Sequence, residues 1–407
     1  MYYPRFGSMG GGELHALQTA LALESLGEVT VVGEAIPTPE ATLARYGIDT
    51  ASLQRLDLTA DLGVARRLLG SDWTYRRWKH PFVRLAHRRR IEQLLPDLFV
   101  NFEMDRPFAA LGSAGVYFCF FPMSSPARNA RGRFSVYHTV CDFVERICLG
   151  DPAVSIETYK AIVANSSFSA QWTEQLWHVD TQYIWPPCKD MGPAVVDKKP
   201  WILGVGRFHA PDGMEHSKSQ DVMVDAFAKL HANELIPPDV ELHLAGDLNG
   251  ELRNQRLIDE LRQRAAGFPV FFHPNATFDE LRALYQQSSL FWMATGYGFD
   301  PEDFPGKQEH FGMVTVEALS AGAVPLARAS GGSLEILDHT CGMLWQDIDE
   351  LVAATAELLG DDERRRAMSS AAVRRAQLFG VEAYFEHVRH LARSLLSAAP
   401  DHVVRPL

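Results

Sequence analysis

The chain is poor in cysteine and in long apolar runs, and both shortages exclude whole classes of protein. Its 407 residues include five cysteines, Cys119, Cys141, Cys148, Cys188 and Cys341, scattered and odd in number, with no C-x-x-C pair. That excludes a disulfide framework and the usual zinc-finger spacing, and it points to a reducing compartment. No stretch of about 18 apolar residues occurs, so no membrane-spanning helix is expected. The first residues lack the basic-then-apolar pattern of a signal peptide, and a cytoplasmic location is the expectation. Net positive charge is lacking as well: 39 Lys and Arg stand against 51 Asp and Glu, a formal net charge of −12. Nucleic acid is therefore not an expected partner. The deficit is uneven. Residues 1–190 carry 19 basic and 20 acidic side chains, so the remainder carries 20 and 31. Only the first half could meet an anionic surface without strong repulsion.

What is present is a regular alternation of short apolar runs with helical patterns, the signature of βαβ units and parallel sheets. Strands are expected at 28–33, 97–102, 115–121 and 161–166, and then at 201–206, 240–246, 269–273, 290–294 and 323–327. Helices are expected at 13–26, 220–232, 251–266, 278–288, 313–321, 348–359 and 361–377. The length suits two domains of about 200 residues. The polar, Pro- and Gly-bearing stretch 191–200 reads as the linker between a first domain at 1–190 and a second at 201–380. An amphipathic last helix at 381–397 is expected to pack back on the first domain. The fold class is α/β, with two Rossmann-like doubly wound domains facing across a cleft and ligands held at the carboxyl ends of the strands. The first glycine loop, GSMGGGE at 7–13, starts so early that only Tyr2 and Tyr3 precede Pro4, which implies a truncated first strand.

Four stretches carry candidate chemistry, and each has a bland alternative. In EHFGMVTVEALSAG (309–322), Glu309 precedes a helix opened by Phe311 and Gly312, and Glu317 lies within it. Free N–H groups at such a helix start suit a phosphate, and carboxylates suit vicinal hydroxyls. An acidic residue that merely favours the helix dipole is the alternative. In GVGRFHAPDGMEHSKSQ (204–220), Arg207 follows a strand and Lys218 nears the next helix. Two cations there can neutralise a diphosphate leaving group, or can be solvated surface charges. Gly10, Gly11 and Gly12 open the first helix, either to admit a ligand closely or as a plain turn. SGGSLEIL (330–337) poses the same choice.

Together these pieces, with NSSFSAQW (165–172), WPPC (185–188) and ATGYG (294–298), resemble family 4 of the retaining GT-B glycosyltransferases over nearly the whole chain. The EHFG, ANS and PPC stretches look most like the α-1,2-mannosyltransferases that extend lipid-linked oligosaccharides from GDP-mannose, and like their bacterial relatives. The resemblance implies a metal-independent hexosyl transfer with no cofactor, the nucleotide-diphosphate sugar being the co-substrate. It implies that Arg207 and Lys218 contact the donor diphosphate and that Glu317 holds the ribose hydroxyls. Glu309 would face the transferred sugar, with backbone contacts from Phe311, Gly312 and Met313. Gly11 and Gly12 would close on the phosphate, and His273, Pro274 and Asn275 would lie beside the base. The loop between Arg207 and Lys218, with His209, Asp212, Glu215 and His216, is longer than usual for the family, and two further positions depart from the pattern. Phe120 stands where relatives often carry a histidine, and Met293 replaces a common histidine before ATGYG.

The acceptor is expected to be a glycan or a lipid-linked glycan. Residues 73–90, WTYRRWKHPFVRLAHRRR, hold seven basic side chains (76, 77, 79, 84, 88, 89 and 90), no acidic one, and Trp73, Tyr75, Trp78 and Phe82 between them. Such a helix either docks peripherally on anionic lipid or is solvated with its aromatics turned inward. Arg128, Arg131 and Arg133 form a second basic cluster. A catalytically weakened GT-B module that binds a nucleotide or scaffolds partners is the alternative function, with Phe120 its main support.

Overall fold

The computed structural model describes residues 1–7, 10–59, 80–103, 107–122, 133–193, 197–210 and 217–398. Trp73 to Lys79 of the basic stretch, Arg128 and Arg131, the side chain of Arg133, the interior of the expected linker, and the loop that holds Asp212, Glu215 and His216 lie outside the described residues.

The chain forms two compact units. One is built from Met1–Ile184 and the chain from Tyr384 onward, the other from Trp185–Ala383. In the first unit seven described strands make one sheet: β1 (Tyr2–Arg5), β2 (Thr30–Glu34), β3 (Gln54–Asp57), β4 (Leu98–Asn101), β5 (Ala114–Cys119), β6 (Ala161–Ala164) and β7 (Gln182–Tyr183). Their order is β3-β2-β1-β4-β5-β6-β7, all parallel. Strands covered on both faces need continuous apolar runs, and every residue of β5 is buried. β1 holds the central place despite its length. Tyr2 pairs with Val32 on one side and Asn101 on the other, and the register to β2 shifts between Tyr2 and Arg5. That shift spans Pro4, which has no N–H to give to a ladder.

Helices α1 (Gly11–Leu23), α2 (Pro39–Tyr46), α3 (His80–Glu92), α4 (Arg133–Leu149), α5 (Pro152–Glu157) and α6 (Ser167–Trp177) connect these strands. Arg84 of α3 corrects the reading of the basic stretch as one uniformly outward charge. It is buried, donates to both oxygens of Glu103 at 2.5 and 2.9 Å, and also pairs with Glu145 of α4. Arg89 and Arg90, by contrast, are exposed.

The second unit repeats the winding with β8 (Lys199–Val205), β9 (Glu241–Gly246), β10 (Val270–Pro274), β11 (Ser288–Met293), β12 (Val324–Arg328) and β13 (Met343–Trp345), in the order β10-β9-β8-β11-β12-β13. Its helices are α7 (Gln220–Ala232), α8 (Leu252–Arg264), α9 (Phe278–Gln287), α10 (Met313–Ser320), α11 (Ser333–Ile336), α12 (Ile348–Gly360) and α13 (Asp362–Ala376). Phe227, Leu244, Trp292 and Trp345 are fully buried between the layers. Each such side chain stabilises the fold by roughly 2 kcal/mol.

The division falls at Ile184, a few residues before the polar stretch 191–200. The cause is local bonding. Trp185 donates to Glu335 at 2.7 Å, and the Cys188 amide donates to the Phe379 carbonyl at 3.0 Å, so both belong to the second unit. The last helix, α14 (Val381–Ser397), is held to α1: Tyr384 Oη lies 2.9 Å from His15 Nε2 and 2.5 Å from Thr19 Oγ1, and Arg389 donates to the Ala22 carbonyl. Burial pushes the His15 imidazole down to about 3, so this contact is between neutral groups.

Candidate functional site

β8 ends at Val205 and the chain leaves the sheet through Gly206 and Arg207. Arg207 is exposed. Gln220, the first residue of α7, fixes this exit by donating to the carbonyls of Gly206 and Arg207 at 3.2 and 3.1 Å. Lys218 then folds across Gly206. A Cβ at that glycine would lie 2.5 Å from Lys218 Cγ, so only glycine lets the lysine cross here. Its ammonium reaches Glu309, with Nζ 2.6 Å from Oε2, and the two side chains are only 19% and 11% exposed.

The loop that carries Glu309 is fastened from two directions. Gln308 is fully buried and donates to the carbonyls of Phe299 and Phe304. The Gly332 amide donates to the Glu309 carbonyl at 2.8 Å, and a Cβ on Gly331 would sit 2.1 Å from that same oxygen at a φ of +58°. The SGG turn is thus a close-approach element, which its sequence alone left open. The helix that follows starts at Gly312, whose φ is 111°, and no side chain caps it. Its first N–H groups, those of Met313 and Val314, have no acceptor within the helix at this positive dipole end, while the Thr315 N–H already donates to the Gly312 carbonyl at 2.9 Å. Phe311 packs against Phe379 in the core just before. Burial pushes the His310 imidazole down to about 4, so it adds no charge beside Glu309.

Glu317 lies further along α10 and is almost entirely buried. Tyr285 of α9 donates to its Oε2 at 2.9 Å. Burial raises the carboxyl from the ordinary 4.5 to about 7, opposed by the charge of Lys189 and by the tyrosine hydrogen bond. The structure thus joins Lys218 to Glu309 directly and gives Glu317 a different set of partners.

His273 lies near the end of β10 and Asn275 follows its last residue. His273 Nε2 lies 3.0 Å from His243 Nδ1, and His243 Nε2 lies 3.0 Å from Glu241. Asn275 adopts a left-handed conformation at φ 58° and spends both ends of its amide on Leu248, at 2.8 and 3.1 Å. Its side chain anchors a loop, so a base placed here would meet its backbone. In the first unit, Gly11 and Gly12 are the first residues of α1, and a Cβ on Gly12 would approach Tyr3 Oη at 3.1 Å and the Phe120 ring at 3.6 Å. Gln220, Gln308 and Tyr285 escaped the sequence reading. Gln220 and Gln308 each hold two loop carbonyls and Tyr285 reaches Glu317 from another helix, and no local pattern announces such bonds.

Among the described residues no group of three or more His, Cys, Asp or Glu could hold a metal ion, and no helix is long and apolar enough to cross a membrane. Residues 193–375 match the family described as Glycosyl transferases group 1. Among curated proteins, the chain is 25% identical over 217 residues to a GDP-Man:Man(3)GlcNAc(2)-PP-Dol alpha-1,2-mannosyltransferase of Xenopus laevis, covering 49% of this chain and 41% of that one. It is 27% identical over 271 residues to a D-inositol 3-phosphate glycosyltransferase of Stackebrandtia nassauensis, covering 63% and 57%. The chain thus spans well under two thirds of either relative. Among solved structures it resembles the sucrose-phosphate synthase of Thermosynechococcus elongatus, with a TM-score of 0.68 at 17% identity, covering 96% of this chain and 94% of that one. The likeness extends over both units and identifies the GT-B fold.

Proposed function

We propose that this protein, whose residues 193–375 match the family described as Glycosyl transferases group 1, is a glycosyltransferase. It moves a hexose, with mannose preferred, from a nucleotide-diphosphate sugar to a glycan or lipid-linked acceptor and retains the anomeric configuration. The observation that carries this reading is the Lys218–Glu309 pair at the uncapped start of α10. A cation, a carboxylate and free helix N–H groups converge there, the set needed by a sugar linked to a diphosphate.

In the proposed reaction the bond from the anomeric carbon to the diphosphate breaks as an acceptor hydroxyl oxygen bonds to the same face of that carbon, the hydroxyl proton passes to the departing diphosphate, and negative charge collects on that leaving group. Lys218 and Arg207 offset that charge, and the N–H groups of Gly312 and Met313 add dipolar support. Glu309 accepts hydrogen bonds from the sugar, and Glu317 accepts them from the ribose. Mannose and GDP are favoured by the likeness in the EHFG stretch and by what the Xenopus laevis relative is named for.

The first unit supplies the acceptor side, and its membrane-facing surface is proposed to run over α3 and α4. Arg89, Arg90 and Phe82 are exposed on α3. On α4, Val140, Phe143 and Ile147 are more than half exposed at helical spacing. A basic row beside an apolar stripe suits an anionic bilayer surface.

A panel of GDP, UDP, ADP and their sugars in a thermal-shift assay tests the donor reading. One diphosphate is expected to raise the melting temperature selectively, and a flat response to all of them would sink the proposal. Phe120 favours a second reading, a nucleotide binder without turnover, because an aromatic ring there has no proton to exchange with a sugar. Slow hydrolysis of a bound nucleotide sugar would separate the two, since an idle binder leaves it intact.

A further inference from the structure

Glu317 is set among groups from two other segments. Tyr285 reaches it from α9, and Lys189 and Cys188 come from the chain that enters the second unit. The tyrosine is fully buried. Its ring stacks on Phe291 with centroids 6.1 Å apart, which leaves the hydroxyl little freedom. That hydroxyl has one proton and two acceptors in range: Glu317 Oε2 at 2.9 Å and the Val314 carbonyl at 3.4 Å. The shorter, charge-assisted bond takes the proton. Lys189 is itself held, its ammonium 4.4 Å from the Phe278 ring centroid, and burial keeps the Cys188 thiol protonated and neutral.

A carboxylate that receives two vicinal hydroxyls must present its lone pairs in one orientation, and a freely turning side chain loses entropy in adopting it. We propose that Tyr285 is a positioning residue for nucleotide binding, fixing one oxygen of Glu317 so that the carboxylate is already aimed at the ribose hydroxyls before the donor arrives. The inference rests on the reading of Glu317 as the ribose ligand. α9 also begins just after His273 and Asn275, capped at Thr277 by reciprocal bonds with Glu280. One helix therefore connects the segment assigned to the base with the acid assigned to the ribose.

A merely structural hydrogen bond and a positioning one predict different behaviour with pH. Only the ionised carboxylate accepts from both hydroxyls, and burial already holds its proton up to about 7. Wild-type affinity should therefore rise as pH passes through neutrality. Removing the phenolic donor takes away a bond that favours the charged form, so the titration should move to higher pH.

The test is calorimetric titration of GDP and of UDP into the full chain between pH 6.5 and 9, comparing wild type, Tyr285→Phe, Lys189→Met and Glu317→Gln. Tyr285→Phe keeps the ring against Phe291. It is expected to bind about tenfold more weakly at pH 7 and to keep part of that loss at pH 9, where the carboxylate is ionised in both proteins but held in place only in wild type. Lys189→Met should shift the same titration in the same direction, an independent check if the tyrosine variant folds poorly. Glu317→Gln should bind weakly at every pH. A Tyr285→Phe profile that overlays wild type, a loss that does not vary with pH, or a full return to wild-type affinity at pH 9 overturns the positioning role while leaving the ribose assignment intact. Wild-type affinity untouched by Glu317→Gln, or no binding of either nucleotide, overturns the assignment beneath it as well.

Discussion

Glu309 and Lys218 neutralise each other at 2.6 Å. On the proposed reading a diphosphate must take Glu309's place on the ammonium, so the carboxylate competes with the product as well as serving the sugar. Glu309→Gln is therefore expected to bind the free nucleoside diphosphate more tightly, by about tenfold, the scale of one charge-assisted bond. Its turnover should fall by about a hundredfold or more, the usual cost of losing a polar contact at a developing charge. Calorimetry with the diphosphate and a product-release assay would check both. Weaker binding by the variant would contradict the competition. Glu317 makes a prediction about stability rather than rate. Its carboxyl titrates at about 7 in the fold against an ordinary 4.5. Both states bind the proton below about 4.5, and the fold carries the full cost of ionising the buried acid only above about 7. Glu317→Gln should therefore raise the melting temperature at pH 8, by an amount corresponding to at most roughly 3 kcal/mol, and leave it unchanged near pH 4.5. Melting curves at the two pH values would decide it, and equal shifts would count against the buried-acid account.

At the scale of elements, the first unit hides a charge network where the sequence suggested only surface. Arg84 binds Glu103 and Glu145 and so ties α3 to the end of β4 and to α4. Arg88, one turn along α3, pairs with Glu92 at 2.9 Å with 29% and 43% exposure. Truncating a buried cation strands its carboxylates, whereas an exposed i,i+4 pair contributes little. Arg84→Ala is expected to destabilise the protein by about 3–5 kcal/mol and Arg88→Ala by well under 1 kcal/mol, roughly. Urea denaturation of the two variants would measure the difference, and similar midpoints would contradict the network's role. The same contrast explains why the basic stretch was only half legible. Periodicity assigns a helix but does not say which of its arginines meets an acid more than fifteen residues away.

For the molecule as a whole, the uneven charge is the property with a consequence. The half with near-neutral formal charge also exposes Arg89 and Arg90 on α3 and the Val140, Phe143 and Ile147 stripe of α4. Flotation with vesicles containing anionic lipid should recover the protein at low salt and lose it as salt screens the attraction. Replacing Arg89 and Arg90 by Glu should abolish recovery, and no recovery of wild type at low salt would refute the surface.

Most strands and the longer helices of the second unit were legible in the sequence because buried parallel strands must be continuously apolar while their helices keep a 3.6-residue stripe, whereas α2, α4, α5 and α6 of the first unit were not expected. The repeated βα pattern gave the fold class, and the E-x7-E stretch gave the candidate acids. The short edge strands β3, β7 and β13 escaped because few of their residues are buried. Tertiary structure alone decided that Lys218 meets Glu309 across 91 positions, that Asn275 is spent on Leu248, and that Tyr285 donates to Glu317. Local propensity acts over a few residues, whereas these pairings depend on where whole strands and helices come to rest, and sequence distance carries almost no information about that.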